Sequence, residues 1–195
     1  MELKAPAPGP PWDDLAARLT RLARRSARPK AERRAAAVLV PLFLRDGALH
    51  TVFIRRPETA PSHPGQIAFA GGRIEAGEDA RAAALREAEE ELGLHRDLVV
   101  PLGALHDVDT TTGFVMTPWV ASIPDGVVWR PNDAEVARVF TAPLEGLAKV
   151  RDTVMLERDG KRYTTPLYPW DGETIWGATG RVVSDLLALL AADAP

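Results

Sequence analysis

Four glutamates lie within five residues of one another in segment 85–94, LREAEEELGL. On a helix, like charges three or four positions apart share one face, and each such pair costs roughly 0.2–0.5 kcal/mol. Glu87, Glu90 and Glu91 are related by these steps, whereas Glu89 points elsewhere. A protein with three carboxylates on one helix face either leaves them to water or uses them to hold a cation.

The residues before this helix favour a cation site. Taken alone, an acidic run is more often a solvated helix face. Glu78, however, lies nine residues before Glu87. Gly71 and Gly72 form a loop in which the backbone can approach a ligand closely. Carboxylate oxygens at this density suit Mg²⁺ or Mn²⁺, and Arg86 is placed to brace them with charge-assisted hydrogen bonds.

The elements that must position these residues follow from periodicity and from helix-capping residues. The acidic segment is predicted to form a helix that begins near Asp79 and ends at Leu92, before Gly93. Further helices are predicted at residues 12–25, 143–148 and 176–192. Strands or extended pieces are predicted at 36–44, 49–55, 66–70, 98–105, 114–123, 135–140, 153–158 and 162–167.

The connections between these elements indicate the fold class. Asp46-Gly47 and Asp159-Gly160 are hairpin signals, and the proline-rich segment 57–66 is predicted to be a loop. Strands and helices are mixed without regular alternation. The pattern predicts one α/β or α+β domain with a mixed sheet covered by helices.

Composition narrows the class of protein. The chain of 195 residues has no cysteine, which excludes disulfides, a thiolate nucleophile and a cysteine-based zinc site. It has no run of about eighteen apolar residues and no signal-peptide pattern at its N-terminus, so we expect a cytoplasmic protein without a membrane partner. The arginine-rich segment 18–34 lacks interleaved aromatic residues, so we expect a solvated helix surface more than a nucleic-acid site.

The spacing of the acidic residues resembles the Nudix box, G-x5-E-x7-R-E-U-x-E-E-x-G-U, in which U is apolar. The match runs from Gly72 to Leu94 and includes all nine defined positions in 23 residues. The resemblance implies the Nudix fold, an α/β/α sandwich around a mixed β-sheet. It also implies Mg²⁺-dependent cleavage of a nucleoside diphosphate linked to another group. We expect residues 36–195 to form this domain, and residues 1–35 to form a basic helix and linker that pack on it.

The same resemblance implies a role for each residue of the site. Glu87 and Glu91 would be the principal metal ligands. Glu90 would be a further ligand or the base that activates water. Arg86 would orient the carboxylates, and Glu78 would support the junction between the loop and the helix.

The segments flanking the box resemble coenzyme A pyrophosphatases, whose signature runs approximately L-L-T-x-R-S-x-x-L-R-x-H-x-G-E-x-x-F-P-G-G. The likeness is carried by Arg56 and by HPGQIAFAGG at 63–72, TTTGFVMTP at 110–118, EVARVFTAPL at 135–144 and IWGATGR at 175–181. It covers roughly residues 36–190. It implies that coenzyme A or a derivative is hydrolysed to 3′,5′-ADP and 4′-phosphopantetheine.

The loop before the box also departs from that signature. Pro57 replaces Ser, Ala60 and Pro61 replace Leu-Arg, Gln66 replaces Glu, and Ala70 replaces Pro. The signature has an arginine where this chain has Pro61. One residue that could bind a substrate phosphate is therefore missing. Arg55 and Arg56 are candidates to replace it, because coenzyme A carries a 3′-phosphate besides its pyrophosphate, and Gly71 and Gly72 are expected to lie against the substrate. The alternatives are another target, such as NADH or ADP-ribose, and a non-catalytic module that binds nucleotides.

Four other residues each have two interpretations. His63 donates to a phosphate or a water, or it braces its loop, which we favour. Glu135 is an additional carboxylate of the metal site, or an ordinary acid at a strand edge. Trp119 and Trp176 are packing residues by default, and either could stack on an adenine.

Overall fold

The protein is described by a computed structural model that covers residues 3–26, 33–158 and 160–192. Within these ranges the helices are α1 (Trp12–Arg21), α2 (Ala80–Leu92), α3 (Leu144–Lys149) and α4 (Gly177–Ala191). The strands are β1 (Arg34–Arg45), β2 (Ala48–Arg55), β3 (Ile67–Ala68), β4 (Gly71–Arg73), β5 (Val100–Ala104), β6 (Val108–Asp109), β7 (Phe114–Ser122), β8 (Arg138–Pro143), β9 (Asp152–Arg158), β10 (Lys161–Trp170) and β11 (Glu173–Ile175).

Most strands belong to one mixed sheet. Its central order is β3–β2–β1–β7–β5, with β4 also paired to β1, β6 to β7 and β8 to β2. β1 and β7 are parallel, in register from Arg34↔Phe114 to Leu42↔Ser122, and the other pairs are antiparallel. A parallel pair requires a crossover connection, and this one contains α2. A separate three-stranded sheet follows the order β11–β10–β9.

The central strand β1 is buried on both faces, which produces the three-layered architecture. Val38 and Val40 belong to the core cluster that includes residues of α1 and α4. Ala37 and Leu39 belong to the cluster that includes residues of α2. Because successive side chains of a strand point to opposite faces, each face is covered by its own helices. The predicted α/β/α sandwich around a mixed sheet is confirmed.

Helix α1 packs on the sheet through its apolar side and ends earlier than predicted. Trp12, Leu15 and Leu19 are buried, but the helix stops at Arg21 and not near residue 25. The reason is tertiary, since the backbone N–H of Arg25 donates to His106 Nδ1 (3.0 Å) and its carbonyl accepts from the N–H of Asp107 (3.0 Å), so neither group extends the helix. The remainder of the predicted basic segment, residues 27–32, lies outside the described residues.

Other elements agree with the sequence patterns or differ at their ends. The Asp46-Gly47 turn has positive φ at both residues, 51° and 78°, as a two-residue hairpin requires. The predicted strand at 135–140 is wrong in position, since β8 begins at Arg138. β4, β6 and β11 were not predicted, because strands of two or three residues carry no periodicity; Gly71 and Gly72, which were predicted to form a loop, instead begin β4. Asp159 of the second predicted hairpin lies outside the described residues. No helix in the described ranges is long and apolar enough to cross a membrane.

Candidate active site

Helix α2 carries the acidic cluster and is fixed at both ends by local capping. Asp79 precedes it and accepts a hydrogen bond from the backbone N–H of Ala82 (2.8 Å). Gly93 ends it in the left-handed conformation, with φ of 64°. Ala84 and Ala88 are buried against the sheet. Small side chains on this face let the helix lie close to β1, so the acidic residues beside them approach the glycines of β4.

Gly71 and Gly72, at the start of β4, have no room for a larger side chain. A Cβ at Gly71 would lie 2.3 Å from the carbonyl oxygen of Ala37, on the paired strand. A Cβ at Gly72 would lie 2.3 Å from Glu87 Oε1. The backbone N–H of Gly71 donates to Glu91 Oε2 (3.1 Å). These two glycines therefore contact both carboxylates that the sequence singled out as principal metal ligands.

Arg86 joins three of the glutamates. Its Nη2 donates to Glu78 Oε1 (2.8 Å), and its Nη1 donates to Glu87 Oε1 (2.9 Å) and to Glu90 Oε2 (3.0 Å). It also donates to the carbonyl of Arg73 (3.1 Å), the last residue of β4. The hydrogen bond with Glu78 is the main reason that the pKa of Arg86 is raised and the pKa of Glu78 is lowered. Glu89 is separate from this cluster, since Arg96 Nε donates to it (2.9 Å).

Glu91 is the most deeply buried acid of the site. Only 1% of the residue is exposed, and burial raises the pKa of its carboxyl to about 8 despite the hydrogen bond from Gly71. The negative charges of Glu87 and Glu135 act in the same direction, while Arg56 opposes them. Burial also raises the pKa of Glu87. At neutral pH a buried carboxyl of this kind keeps its proton or acquires a cation.

Glu135 lies in a turn before β8, so its predicted place on a strand is wrong. It accepts a hydrogen bond from Asn132 Nδ2 (3.2 Å), and its charge raises the pKa values of Glu87 and Glu91. The turn thus brings a fifth glutamate towards the cluster formed by the loop and α2.

The donor set fits a hard divalent cation, although the carboxylates are engaged with the protein itself. Among the described residues, no three His, Cys, Asp or Glu side chains are arranged to hold a metal ion as they stand. Arg86 binds Glu87 and Glu90, and Gly71 binds Glu91. The candidate ligands are nevertheless all oxygen atoms, which Mg²⁺ and Mn²⁺ prefer. Either cation would also stabilise the ionised form of the buried Glu91 carboxyl, whose pKa is raised. A cation bound here would compete with Arg86 for the carboxylates of Glu87 and Glu90.

A cavity of about 540 Å³ lies outside this cluster, since neither its glutamates nor Gly71 and Gly72 line it, but it separates the candidate substrate-binding residues. Arg56 and His63 line it, and the charge of Arg56 acts on Glu91. Arg55 is not among the lining residues, because it is paired with Glu58 (2.6 Å). Arg56 therefore lies at the cavity, whereas Arg55 does not.

His63 and the two tryptophans occupy different environments. Nδ1 of His63 lies 2.8 Å from Gln66 Oε1, a contact that braces the loop at a residue with φ of 56°. Trp176 lines the cavity and is 36% exposed. Trp119 packs against the core cluster on the α2 side of the sheet.

Sequence reasoning missed the lining residues contributed by β9 and β10. Leu156, Tyr163 and Thr165 face the cavity, but they lie in no motif that would indicate a site. Segments 110–118 and 175–181 did carry a signal, since both resembled coenzyme A pyrophosphatases, and both contribute lining residues.

In this three-layered α/β/α fold, two glycines of β4 lie against carboxylates of α2, beside the central strand β1. The NUDIX domain family model matches residues 33–159, and the chain belongs to this family. It is therefore a hydrolase acting on phosphoric anhydrides, and Nudix hydrolases use divalent metal ions.

Individual relatives agree with this class. The Nudix hydrolase NudL of Enterobacter sp. (strain 638) is 36% identical over 179 residues, which cover 89% of this chain and 92% of that protein. NudL of Photorhabdus laumondii is 34% identical and covers 78% of this chain and 83% of that protein. Among solved structures, the Nudix hydrolase RenU of M. smegmatis has a TM-score of 0.52 and 22% identity, over 60% of this chain and 74% of that one. A MutT/nudix family protein of Enterococcus faecalis has a TM-score of 0.53 and 13% identity, over 84% and 64%. These structures show the shared fold.

Proposed function

We propose that this Nudix hydrolase cleaves the pyrophosphate of coenzyme A or of its close derivatives, and that it acts in the cytoplasm on this small-molecule substrate. One observation carries the choice of substrate. Arg56 and the segments at 63–72, 110–118 and 175–181, which resemble coenzyme A pyrophosphatases, all contribute residues to one cavity of about 540 Å³, and the charge of Arg56 acts from this cavity on Glu91. Residues dispersed along the chain are expected to meet in this way when they surround one ligand.

The proposed metal is Mg²⁺ or Mn²⁺, held by Glu87, Glu91 and Glu90. When bound, it would neutralise charge on the pyrophosphate and acidify a water molecule. Glu91 must lose its proton to bind the cation, and its raised pKa makes this loss dependent on the cation. Glu135, at the edge of the cluster, is proposed to add negative charge to the site.

Other side chains of the site orient the carboxylates and accept the proton of the attacking water. Arg86 orients Glu87 and Glu90 by donating to both, so that the exposed Glu90 carboxylate can accept a proton from the attacking water. Glu78 anchors Arg86 to the loop. Water attacks one phosphorus of the pyrophosphate, the bond to the bridging oxygen breaks, and the two products are 3′,5′-ADP and 4′-phosphopantetheine.

The substrate contacts are proposed for the residues that line the path to this cluster. The backbone of Gly71 and Gly72 lies against the pyrophosphate, and Arg56 binds one of its phosphates. His63 positions the loop and offers its second ring nitrogen to the cavity. Arg55 contributes by holding Glu58 at the base of the same loop.

A substrate panel in ¹⁸O-water tests the proposal. With coenzyme A and Mg²⁺ we expect 3′,5′-ADP and 4′-phosphopantetheine, with one ¹⁸O in one of the two products, measured by mass spectrometry. NADH or ADP-ribose turned over far faster than coenzyme A would overturn the substrate assignment. Absence of hydrolysis for every nucleotide diphosphate would favour a binding module. Arg56→Ala should raise the KM for coenzyme A, and an unchanged KM would remove its phosphate-binding role.

A further inference from the structure

The cavity lined by Arg56 has walls that the hydrolysis of a pyrophosphate does not require. They come from the β9–β10 hairpin, the first turn of α4 and the turn at 110–112. Part of the lining is apolar, with Ile67, Met116 and Leu156 among its side chains. The charge of Arg56 reaches Glu91 from this cavity, so a molecule cleaved at the cluster can extend one of its halves into it.

A buried hydroxyl in this cavity lacks a partner. Thr165 is 3% exposed and lines the cavity, and its Oγ1 has no hydrogen-bond partner among the described residues. Thr179, on the neighbouring helix, differs because its hydroxyl donates to the carbonyl of Ile67 (3.0 Å). Buried polar atoms are nearly always hydrogen-bonded. The free hydroxyl of Thr165 therefore indicates a polar ligand group in the cavity.

The first turn of α4 provides a positive electrostatic environment at the same place. Trp176 precedes the helix and gives no side-chain cap, so the first backbone N–H groups are not satisfied by a capping side chain. Gly177 has φ of 65° and nothing within 4 Å of where a Cβ would lie, which leaves its backbone open. An N-terminus of this kind attracts anions.

Two charged side chains complete this end of the cavity. Arg181 donates to the carbonyl of Asp109, and its Nε is buried without a partner among the described residues. Glu157 also lines the cavity, but Arg162 donates to it (3.3 Å). The acidic side chain is thus balanced by its own cation, and the guanidinium of Arg181 keeps an unused donor.

We propose that this cavity binds the adenosine half of the substrate, with a phosphomonoester against the first turn of α4, Arg181 and Thr165, and the base against Trp176 and Tyr163. The proposal rests on the proposed function. It further specifies which half of the substrate enters the cavity and which residues bind that half. The pantetheine arm has amide and hydroxyl groups that can pair with Thr165, but it has no negative charge for the first turn of α4 and Arg181 and no aromatic ring for Trp176 and Tyr163. An aromatic base with a phosphate satisfies both kinds of group.

Binding without turnover tests the proposal directly. Isothermal titration calorimetry in a chelator compares 3′,5′-ADP, 5′-AMP and 4′-phosphopantetheine on the wild-type chain. We expect 3′,5′-ADP to bind about tenfold more tightly than 5′-AMP, as a hydrogen-bonded extra phosphate implies. Thr165→Val and Arg181→Met should each remove most of that difference. Thr164→Val, which changes an exposed threonine on the opposite face of the same strand, is the matched control and should retain it.

The outcomes distinguish this proposal from the proposed function. Equal binding of 3′,5′-ADP and 5′-AMP, with no effect of Thr165→Val, overturns the proposal even if coenzyme A is hydrolysed. Weaker binding of 4′-phosphopantetheine to Thr165→Val also overturns it, because the cavity would then hold the other half. Loss of the preference for 3′,5′-ADP in both variants supports the proposal even if coenzyme A is not hydrolysed. Circular dichroism of each variant shows whether it is folded before its binding is compared.

Discussion

Replacing Glu91 by glutamine should change how the stability of the metal-free protein depends on pH. In the folded chain the pKa of Glu91 is about 8, against an ordinary value of 4.5. Between these values the folded state binds more protons than the unfolded state, so unfolding becomes easier as pH rises through this window. At pH 7, keeping the carboxyl protonated costs about 3 kcal/mol of folding free energy. Glutamine has no proton to lose, and its side-chain oxygen can still accept from Gly71.

The magnitude follows from that pKa. Between pH 5 and pH 8, the stability of Glu91→Gln relative to the wild type should rise by about 3 kcal/mol. For a chain of this size this corresponds to a relative gain of roughly 6–12 °C in Tm. The constant cost of an unpaired amide N–H in the variant, about 1–3 kcal/mol, shifts the whole curve and leaves its slope unchanged.

Thermal unfolding followed by circular dichroism in a chelator measures this effect. Glu89→Gln is the control, because Glu89 lies on the same helix but is paired with Arg96 at the surface (2.8 Å); its stability should follow the wild type within about 0.5 kcal/mol at every pH. Added Mg²⁺ or Mn²⁺ should stabilise the wild type at pH 8 and have much less effect on Glu91→Gln, which should also lose about 100-fold or more in turnover. An equal pH dependence of stability in Glu91→Gln and in the wild type would refute the reasoning. It would mean that other groups of the protein already stabilise the ionised Glu91 carboxylate.

Three further substitutions test other parts of the structure. Gly72→Ala places a Cβ 2.3 Å from Glu87 Oε1 and should lower kcat/KM by about 10–100-fold while Tm changes little; unchanged kinetics would show that the carboxylate position is not critical. Arg86→Lys cannot reproduce the fork that binds three glutamates, so steady-state turnover should fall by about 10–100-fold; full activity would contradict an orienting role. Leu15→Ala removes a buried side chain of α1 and should cost about 2–5 kcal/mol in urea unfolding; a loss below about 0.5 kcal/mol would mean that α1 is not part of the core.

Local patterns were sufficient to predict the acidic helix and the family to which its spacing points. Asp79 and Gly93 bound α2 as predicted, because capping depends on residues next to each other in sequence. Helical periodicity likewise placed Glu87, Glu90 and Glu91 together and Glu89 apart. The fold was predictable to the level of a mixed sheet between helices, since periods of two and of 3.6 residues distinguish strands from helices.

Non-local packing decided what these patterns could not. The end of α1 depends on hydrogen bonds between the backbone of Arg25 and residues His106 and Asp107, some eighty residues away, and helix-ending signals in the sequence do not include such contacts. The turn that contains Glu135 is anchored by Asn132, whose backbone N–H donates to the carbonyl of Glu91 in α2 (2.9 Å). The cavity wall from β9 and β10 carried no motif, because a wall needs only shape and a few polar atoms.

The sequence by itself determined the family, the acidic face and the glycines that accommodate it, because those properties depend on fixed spacings within 23 residues. Only the tertiary structure decided that Glu91 is buried with a raised pKa, that Arg56 and not Arg55 faces the cavity, and that Thr165 lies there with no hydrogen-bond partner in the described part of the chain. Burial, charge environment and hydrogen-bond satisfaction depend on atoms from distant segments, so they exist only once the chain has folded.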